Sequence, residues 1–260
     1  MQLTALDLFY WVAGLLGHLT LLAILWLRKR VAAFPLFTSL ITMYVGRTIA
    51  LFFVRRFGSN DAYFYTYWSL AIVDVALQLA VFYEIAFTVF RPAGRWAQDL
   101  RWSFVWLLSL SAIVGIGITW LAAPATKSLH QAIAIRGNLF SSVLMSELFV
   151  GITVLSVTMG LPWKTHVARI AQGLGTYSIV GFGIEGLQSY FGVAQGTEAY
   201  SMLSHVSIGC YLVCVAYWIV TLAQEAPAPR GMPIQMQRQM LLLQRRAAFQ
   251  LAHLRGWGRQ

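Results

Sequence analysis

Residues 62–85, AYFYTYWSLAIVDVALQLAVFYEI, decide the fold of this chain, because most of the stretch is apolar enough to lie in a lipid bilayer. A helix needs about 20 apolar residues to cross the hydrocarbon core. The stretch nevertheless carries two acids, Asp74 and Glu84, and it begins with a run of tyrosines. We therefore predict a membrane-spanning helix whose acids need partners, protons or a ligand.

The whole chain has the composition of a membrane protein. Of its 260 residues 58% are hydrophobic and only 11% are charged, and the mean hydropathy is +0.66. The formal net charge is +10, but the basic residues lie mostly between or after apolar runs, where they set orientation and contact anionic headgroups. The charge therefore indicates a membrane surface as the partner and argues against nucleic-acid binding.

Six further stretches resemble the first in length and apolarity, so we predict an all-α bundle of seven transmembrane helices. The predicted spans are residues 5–27, 34–54, 64–89, 102–123, 129–160, 167–191 and 199–223. The connections are short and carry proline or glycine, which break helices. None of them has room for an extramembrane domain.

Lysine and arginine are distributed unevenly between the two sets of loops. One set, together with the C-terminal segment, carries fourteen: Arg28, Lys29, Arg30, Arg91, Arg95, Arg101, Lys164, Arg169 and the six arginines after residue 225. The other set carries only Arg55, Arg56 and Lys127. By the positive-inside rule the N-terminus lies outside and the C-terminus lies in the cytoplasm.

The C-terminal segment forms a second unit, so we divide the chain into a transmembrane domain at residues 1–224 and a cytoplasmic unit at 225–260. A linker rich in proline and glycine is followed by a basic amphipathic helix. Its apolar stripe consists of Met236, Met240, Leu243, Ala247, Leu251 and Leu254. The helix is expected to lie on anionic lipids of the inner leaflet, or to dock another membrane subunit.

Ionisable and polar groups also occur inside the spans, where each is costly unless it is paired, protonated or hydrated. Five spans place such groups in the outer half or near the midplane, at about 1.5 Å of rise per residue. This layer predicts an outward-facing polar cavity for a small ligand or a lipid headgroup. The residues expected to line it are Arg47, Tyr67, Asp74, Arg136, Glu185 and His205.

The acids on these spans also fit a proton relay through Asp74, Glu84, Glu147 and Glu185. Structural roles remain open for them. Asp74 can pair with an arginine of another span, Glu84 can anchor its helix at the inner boundary, and Glu147 can bind a neighbouring helix.

The sequence lacks the motifs of several known membrane and hydrolase chemistries. No span contains an interior lysine, so no Schiff base can form and the seven-helix likeness to retinal proteins does not extend to their photochemistry. The chain has neither H-E-x-x-H nor G-x-S-x-G. We therefore expect no cofactor, no metal and no catalytic residues, although an unfamiliar intramembrane enzyme stays open.

The motifs YFYTYW at residues 63–68, FYEI at 82–85 and FRP at 90–92 resemble a group of uncharacterised bacterial proteins with seven transmembrane helices. The resemblance covers about the first four spans. It implies the bacterial cytoplasmic membrane as the location, and it implies no function.

Three functions remain in competition on the sequence. The leading interpretation is a sensor or receptor-like protein, in which a ligand in the outer cavity shifts helix packing and the C-terminal helix reads the shift. The alternatives are a non-catalytic membrane subunit or scaffold, which packs against partners, and a proton- or ion-coupled transporter. GFGIEG at residues 181–186 keeps transport open, because a helix broken at these glycines would resemble transporter helices.

Overall fold

A computed structural model describes residues 5–90, 96–121, 129–158, 166–191 and 197–225. These residues form seven α-helices and, within the described ranges, no strand. The helices are α1 (Ala5–Leu27), α2 (Pro35–Phe57), α3 (Asn60–Phe90), α4 (Trp96–Leu121), α5 (Leu129–Thr158), α6 (His166–Phe191) and α7 (Thr197–Ala223). Each overlaps one predicted span, with the largest difference at α4, which begins at Trp96 where the span is predicted from residue 102. The helices confirm the all-α class for the described residues.

Five of the helices contain stretches long and apolar enough to cross a membrane. These are Leu8–Leu27, Pro35–Phe57, Asn60–Thr88, Ile135–Val154 and Ser201–Ala223. In α4 the apolar stretch is shorter, Val105–Leu121, and no such stretch is found in the described residues of α6. The five helices indicate a helical membrane protein, and the membrane crossing of α4 and α6 stays a prediction.

The described helices pack in a closed order. α1 contacts α2 and α7, α2 contacts α3, and α6 contacts both α3 and α7, so these five helices form a ring. α5 packs outside against α3 and α6, and α4 packs against α5. The more polar α6 contacts three neighbours, which explains why it lacks the uniform apolar surface that a lipid-facing helix needs.

Contacts at the helix ends show which ends lie together. Arg30, after α1, donates to the backbone oxygen of Gln224, after α7. Glu84, late in α3, accepts from the backbone nitrogens of Leu36 and Phe37 at 3.3 and 3.1 Å. We call this end of the bundle, where α1 ends and α2 and α6 begin, the basic end.

The half of the bundle nearest the basic end is filled by apolar side chains. Its fully buried members include Leu25, Phe37, Phe82, Ile170 and Trp218. We call this region the packed half. For helices in a bilayer, lipid tails are as apolar as leucine, so buried side chains here stabilise the bundle through van der Waals packing.

One glycine is needed for the close packing of α6 on α7. A Cβ atom added at Gly173 would overlap the indole ring of Trp218. The indole Nε1 donates to the backbone oxygen of Arg169 at 3.3 Å, so the ring is fixed against α6. A hydrogen at position 173 is therefore what allows the two backbones to approach.

The C-terminal unit predicted at residues 225–260 lies outside the described residues, apart from Glu225. The same holds for Lys127 and Lys164, which were counted for the orientation of the chain.

Candidate functional site

A partly buried ion pair joins α2 to α3 in the middle of the bundle. Arg47 Nη1 lies 2.9 Å from Asp74 Oδ2, and the two side chains are 23% and 15% exposed. It is the one Lys or Arg to Asp or Glu ion pair within the described residues. The sequence left open whether Arg47 or Arg136 pairs with Asp74, and the structure assigns the partner as Arg47.

Two further donors complete the coordination of the Asp74 carboxylate. The Tyr44 hydroxyl donates to Oδ1 at 2.9 Å, and Gln78 Nε2 donates to the same oxygen at 2.8 Å. Gln78 is four residues after Asp74 and so lies on the same face of α3. Asp74 is thus fully hydrogen-bonded within the protein, and its negative charge is matched by Arg47.

Arg47 also contacts the aromatic layer that begins α3. Its guanidinium carbon lies 5.3 Å from the centre of the Tyr67 ring, within the distance of a cation–π interaction. The Tyr67 ring in turn packs edge-on against Trp68 at 5.7 Å between ring centres. The tyrosine run that opens α3 therefore contributes side chains to the site itself.

A cavity of about 570 Å³ lies beside the ion pair, between α2, α3, α5 and α6. This volume is within the range of about 300–1,000 Å³ that is usual for small-molecule sites. Its polar lining consists of Arg47, Tyr67, Asp74, Gln78, Asn138, Ser141, Ser142, Tyr177, Ser178 and Glu185. Aromatic rings of Trp68 and Phe140 supply part of the apolar wall.

Glu185 is the carboxyl group of this cavity that lacks a partner in the described part of the chain. Among the described residues, none forms a hydrogen bond or an ion pair with it. Because Asp74 already matches the charge of Arg47, that guanidinium is not free to neutralise a second acid. Glu185 is therefore available to a group that donates hydrogen bonds or carries positive charge.

A second cavity of about 180 Å³ touches the other side of the ion pair. It shares Arg47, Asp74 and Tyr177 with the larger cavity. His18 and Tyr211 complete this part of the site, with His18 Nε2 at 2.6 Å from the Tyr211 hydroxyl. The ion pair thus stands between two polar spaces.

Tyrosine rings connect the helices around the smaller cavity. Tyr211 packs edge-on against Tyr177 at 5.0 Å and against Tyr44 at 5.9 Å between ring centres. The ring centres of His18 and Tyr44 lie 5.4 Å apart. These rings link α1, α2, α6 and α7 around the ion pair.

Two of the predicted cavity residues lie elsewhere. Arg136 is exposed and does not line either cavity, although its neighbours Gly137 and Asn138 do. His205 is half-buried and stacks on Tyr10, with 5.5 Å between the ring centres. A ligand role for these two residues stays a prediction without a cavity to support it.

Two of the predicted relay acids also lie away from the cavities. Glu84 accepts hydrogen bonds from the first turn of α2, where a carboxylate complements the unpaired backbone N–H groups of a helix start. Glu147 lines neither of the two cavities. Only Asp74 and Glu185 of the four lie on one cavity.

The sequence reasoning missed the tyrosines that build the site. Tyr44, Tyr177 and Tyr211 lie well inside apolar runs, away from the interfacial layers where tyrosine is common in membrane proteins. A phenol at that depth needs a hydrogen-bond partner. That position was the signal that could have identified them.

Comparisons with known proteins add no family to this description. Neither protein-family models, nor curated proteins, nor solved structures give a match to the chain. In the described residues, no group of three His, Cys, Asp or Glu side chains could hold a metal ion.

Proposed function

We propose that this chain is a receptor-like membrane protein whose larger cavity binds a small molecule with a cationic or hydrogen-bond-donating group. Seven helices cross the membrane in this proposal, with the basic end and the C-terminus in the cytoplasm, as the distribution of Lys and Arg favours. A bacterial cytoplasmic membrane is the proposed location. The C-terminal segment is the proposed output.

The observation that carries the proposal is the carboxyl of Glu185, which has no partner among the described residues and lies beside an ion pair of matched charges. A cavity built only to relieve packing would not need a carboxyl group at bilayer depth, where an acid is costly. The rings of Trp68 and Phe140 offer an apolar surface on the same cavity. The complementary ligand therefore has an amine or a similar donor at one end and an apolar or aromatic body.

The ion pair supplies a route from ligand to helix packing. A ligand group bound near Glu185 lies in the same cavity as Arg47 and Asp74. Any change in their contact alters the hydrogen bonds of Tyr44 and Gln78, which join α2 to α3. A ligand that binds one arrangement of these hydrogen bonds more tightly than another shifts the equilibrium between the two arrangements.

The test uses the full chain in phosphatidylcholine nanodiscs, with putrescine, choline and tyramine as probes. We expect at least one probe to raise the unfolding temperature in a saturable manner. In Glu185→Gln the probe concentration for half-maximal effect should rise at least about tenfold, because the charge-assisted hydrogen bond is lost.

Glu225→Gln is the matched control, since Glu225 is an exposed carboxylate just after α7. It should respond to the probes like the unmodified protein. If no probe stabilises the protein, or if Glu185→Gln keeps the full response, the proposed ligand site is wrong.

The two cavities that flank the ion pair favour one second candidate, a proton- or ion-coupled transporter. In this mechanism Arg47 and Asp74 form the barrier between the two spaces, and opening of the pair connects them. Liposomes with an imposed proton gradient should then show flux that Asp74→Asn abolishes. Flux that is absent, or that Asp74→Asn leaves unchanged, would exclude this candidate.

A further inference from the structure

Three basic side chains from two separate parts of the chain meet at the basic end. Arg30 lies in the connection between α1 and α2, whereas His166 and Arg169 lie in the first turn of α6. His166 and Arg169 are three residues apart in one helix and therefore project from neighbouring positions on its surface. They are separate from both cavities described above.

Hydrogen bonds place the two arginines close together. Arg30 Nη2 donates to the backbone oxygen of Gln224 at 2.5 Å, and Arg169 Nη1 donates to the backbone oxygen of Thr221 at 2.9 Å. Thr221 and Gln224 lie three residues apart at the end of α7. Both guanidinium groups thus bind within one turn, where the last carbonyl groups of a helix attract positive charge.

Nitrogen atoms in this group lack hydrogen-bond partners. His166 is only 7% exposed, and neither its Nδ1 nor its Nε2 has a partner in the described residues. The Nη1 atom of Arg30 is buried and is also without a partner there. A buried donor without a partner costs about 1–3 kcal/mol, so the Arg30 N–H group and the single N–H of the neutral His166 ring call for an acceptor.

The positive charges are not balanced by an acid. In the described residues no carboxylate forms an ion pair with Arg30 or Arg169. The pKa of Arg30 is lowered, first by desolvation and then by the charges of Arg28 and Arg169. Residues 226–260, which follow α7, contain no Asp or Glu in their sequence.

His166 is affected by the same charges. It precedes the span predicted from residue 167, and the pKa of its imidazole is lowered to about 4, first by desolvation and then by Arg30 and Arg169. The imidazole therefore lies within the electrostatic reach of both guanidinium groups. It offers one N–H donor as a neutral ring and two when an anion promotes its protonation.

We propose that Arg30, His166 and Arg169 form a binding site for a phosphate-type oxyanion at the basic end of the bundle. Arg30 and Arg169 are only partly buried and give access from the surface, while buried His166 forms the floor. Arginine suits this task, because its planar donors match the oxygen atoms of a phosphate group.

The phosphate can belong to a phospholipid headgroup or to a free solute. Exposed Trp26 and Leu27 at the end of α1 provide an apolar surface near Arg30, to which acyl chains can bind. Both sources present the same phosphate oxygens to the three side chains. The experiment separates the two.

The experiment uses the full chain in two assays. Native mass spectrometry counts the phosphatidylglycerol retained after extraction from mixed phosphatidylglycerol and phosphatidylcholine nanodiscs. Thermal unfolding in phosphatidylcholine nanodiscs, with inorganic phosphate titrated, measures binding of the free anion. Retained phosphatidylglycerol without a phosphate effect identifies a lipid site, and saturable stabilisation by phosphate identifies a solute site.

Variants connect either result to the three side chains. His166→Phe and Arg30→Gln should each weaken anion binding by about tenfold, because each removes a donor from a charge-assisted contact. Arg28→Gln is the control, since it removes one positive charge from the same connection but lies on an exposed side chain. It should change binding by less than about threefold.

The proposal is overturned if neither anion binds, or if Arg28→Gln weakens binding as much as the other two variants. Arg30→Lys is included in case Arg30→Gln does not fold. It keeps the charge but loses the forked donor pair, so binding should weaken although net charge is preserved. Full binding by both His166→Phe and Arg30→Lys would also overturn the site.

Discussion

Charged side chains have different partners in the two halves of the bundle. In the half that holds the cavities, Arg47 and Asp74 are matched in charge and hydrogen-bonded to neighbours. In the packed half, apolar side chains fill the interior and cations collect at its end, where Arg30 and Arg169 have no acid partner within the described part of the chain.

The difference follows from the surroundings of each charge. At bilayer depth neither water nor lipid can neutralise an ion, so Arg47 depends on the counter-charge of Asp74. At the end of the bundle, water and headgroups can supply it, so the protein can leave cations free for an external anion. Internal pairing thus indicates depth, and free cations indicate a surface.

Breaking the ion pair should produce the largest effect. Asp74→Asn leaves Arg47 without its counter-charge, and we expect the free energy of unfolding to fall by about 3 kcal/mol. Unfolding in mixed micelles with increasing dodecyl sulfate measures this. Asp61→Asn, an exposed acid in the first turn of α3, should cost less than about 0.5 kcal/mol.

The double variant Arg47→Met, Asp74→Leu sharpens this test. It removes both charges together, so stability should recover most of what Asp74→Asn loses. If Asp74→Asn leaves the free energy of unfolding unchanged, Arg47 does not depend on the charge of Asp74.

The packing of α6 against α7 should matter next. Gly173→Ala brings a Cβ atom into the Trp218 ring, so α6 and α7 must separate, at a cost of about 2 kcal/mol. Gly183→Ala, on the same helix, meets no atom within 4 Å and should be neutral or slightly stabilising. Thermal unfolding in nanodiscs compares the two, and equal effects would contradict the packing difference.

A smaller effect is expected from one hydrogen bond to the pair. Tyr44→Phe removes one of the two donors to Asp74 Oδ1, at a cost of about 1 kcal/mol. Tyr67→Phe is the control, because Tyr67 meets Arg47 through its ring, which phenylalanine keeps. Unfolding in micelles measures both variants. A larger loss of stability in Tyr67→Phe would show that the hydroxyl of Tyr67, and not that of Tyr44, stabilises the ion pair.

Neutralising a cation at the basic end should have the smallest effect on folding. Arg30→Gln loses a contact to Gln224 but relieves repulsion from Arg28 and Arg169, so stability in phosphatidylcholine alone should change by less than about 0.5 kcal/mol. Thermal unfolding measures it. A loss of stability as large as that of Asp74→Asn would show that folding depends on Arg30 as much as on the ion pair of Arg47 and Asp74.

The seven helices could be predicted because apolar length is a local property of the sequence. Each connection carries its own breaker or charge, and the spans end within a few residues of the observed helices. Depth along a helix also follows from residue number alone. It brought Arg47, Asp74 and Glu185 into one layer, and the structure places all three on one cavity.

The partners within that layer could not be predicted, since residue number does not say how each helix is rotated. Arg136 and His205 share the predicted depth with Arg47, yet neither lines the cavities. The contact of Glu84 with the start of α2 likewise depends on which helices are neighbours.

The sequence by itself determined that this is a helical chain with apolar spans, few charges inside them and a strong excess of basic residues in alternate loops. Those properties depend on composition and on spacing along one helix. Only the tertiary structure decided that Asp74 pairs with Arg47, that Glu185 has no partner within the described ranges, and that Arg30 lies near His166 and Arg169. The physical reason is that a pair between helices is fixed by their rotation and order, and both depend on the packing of the whole bundle.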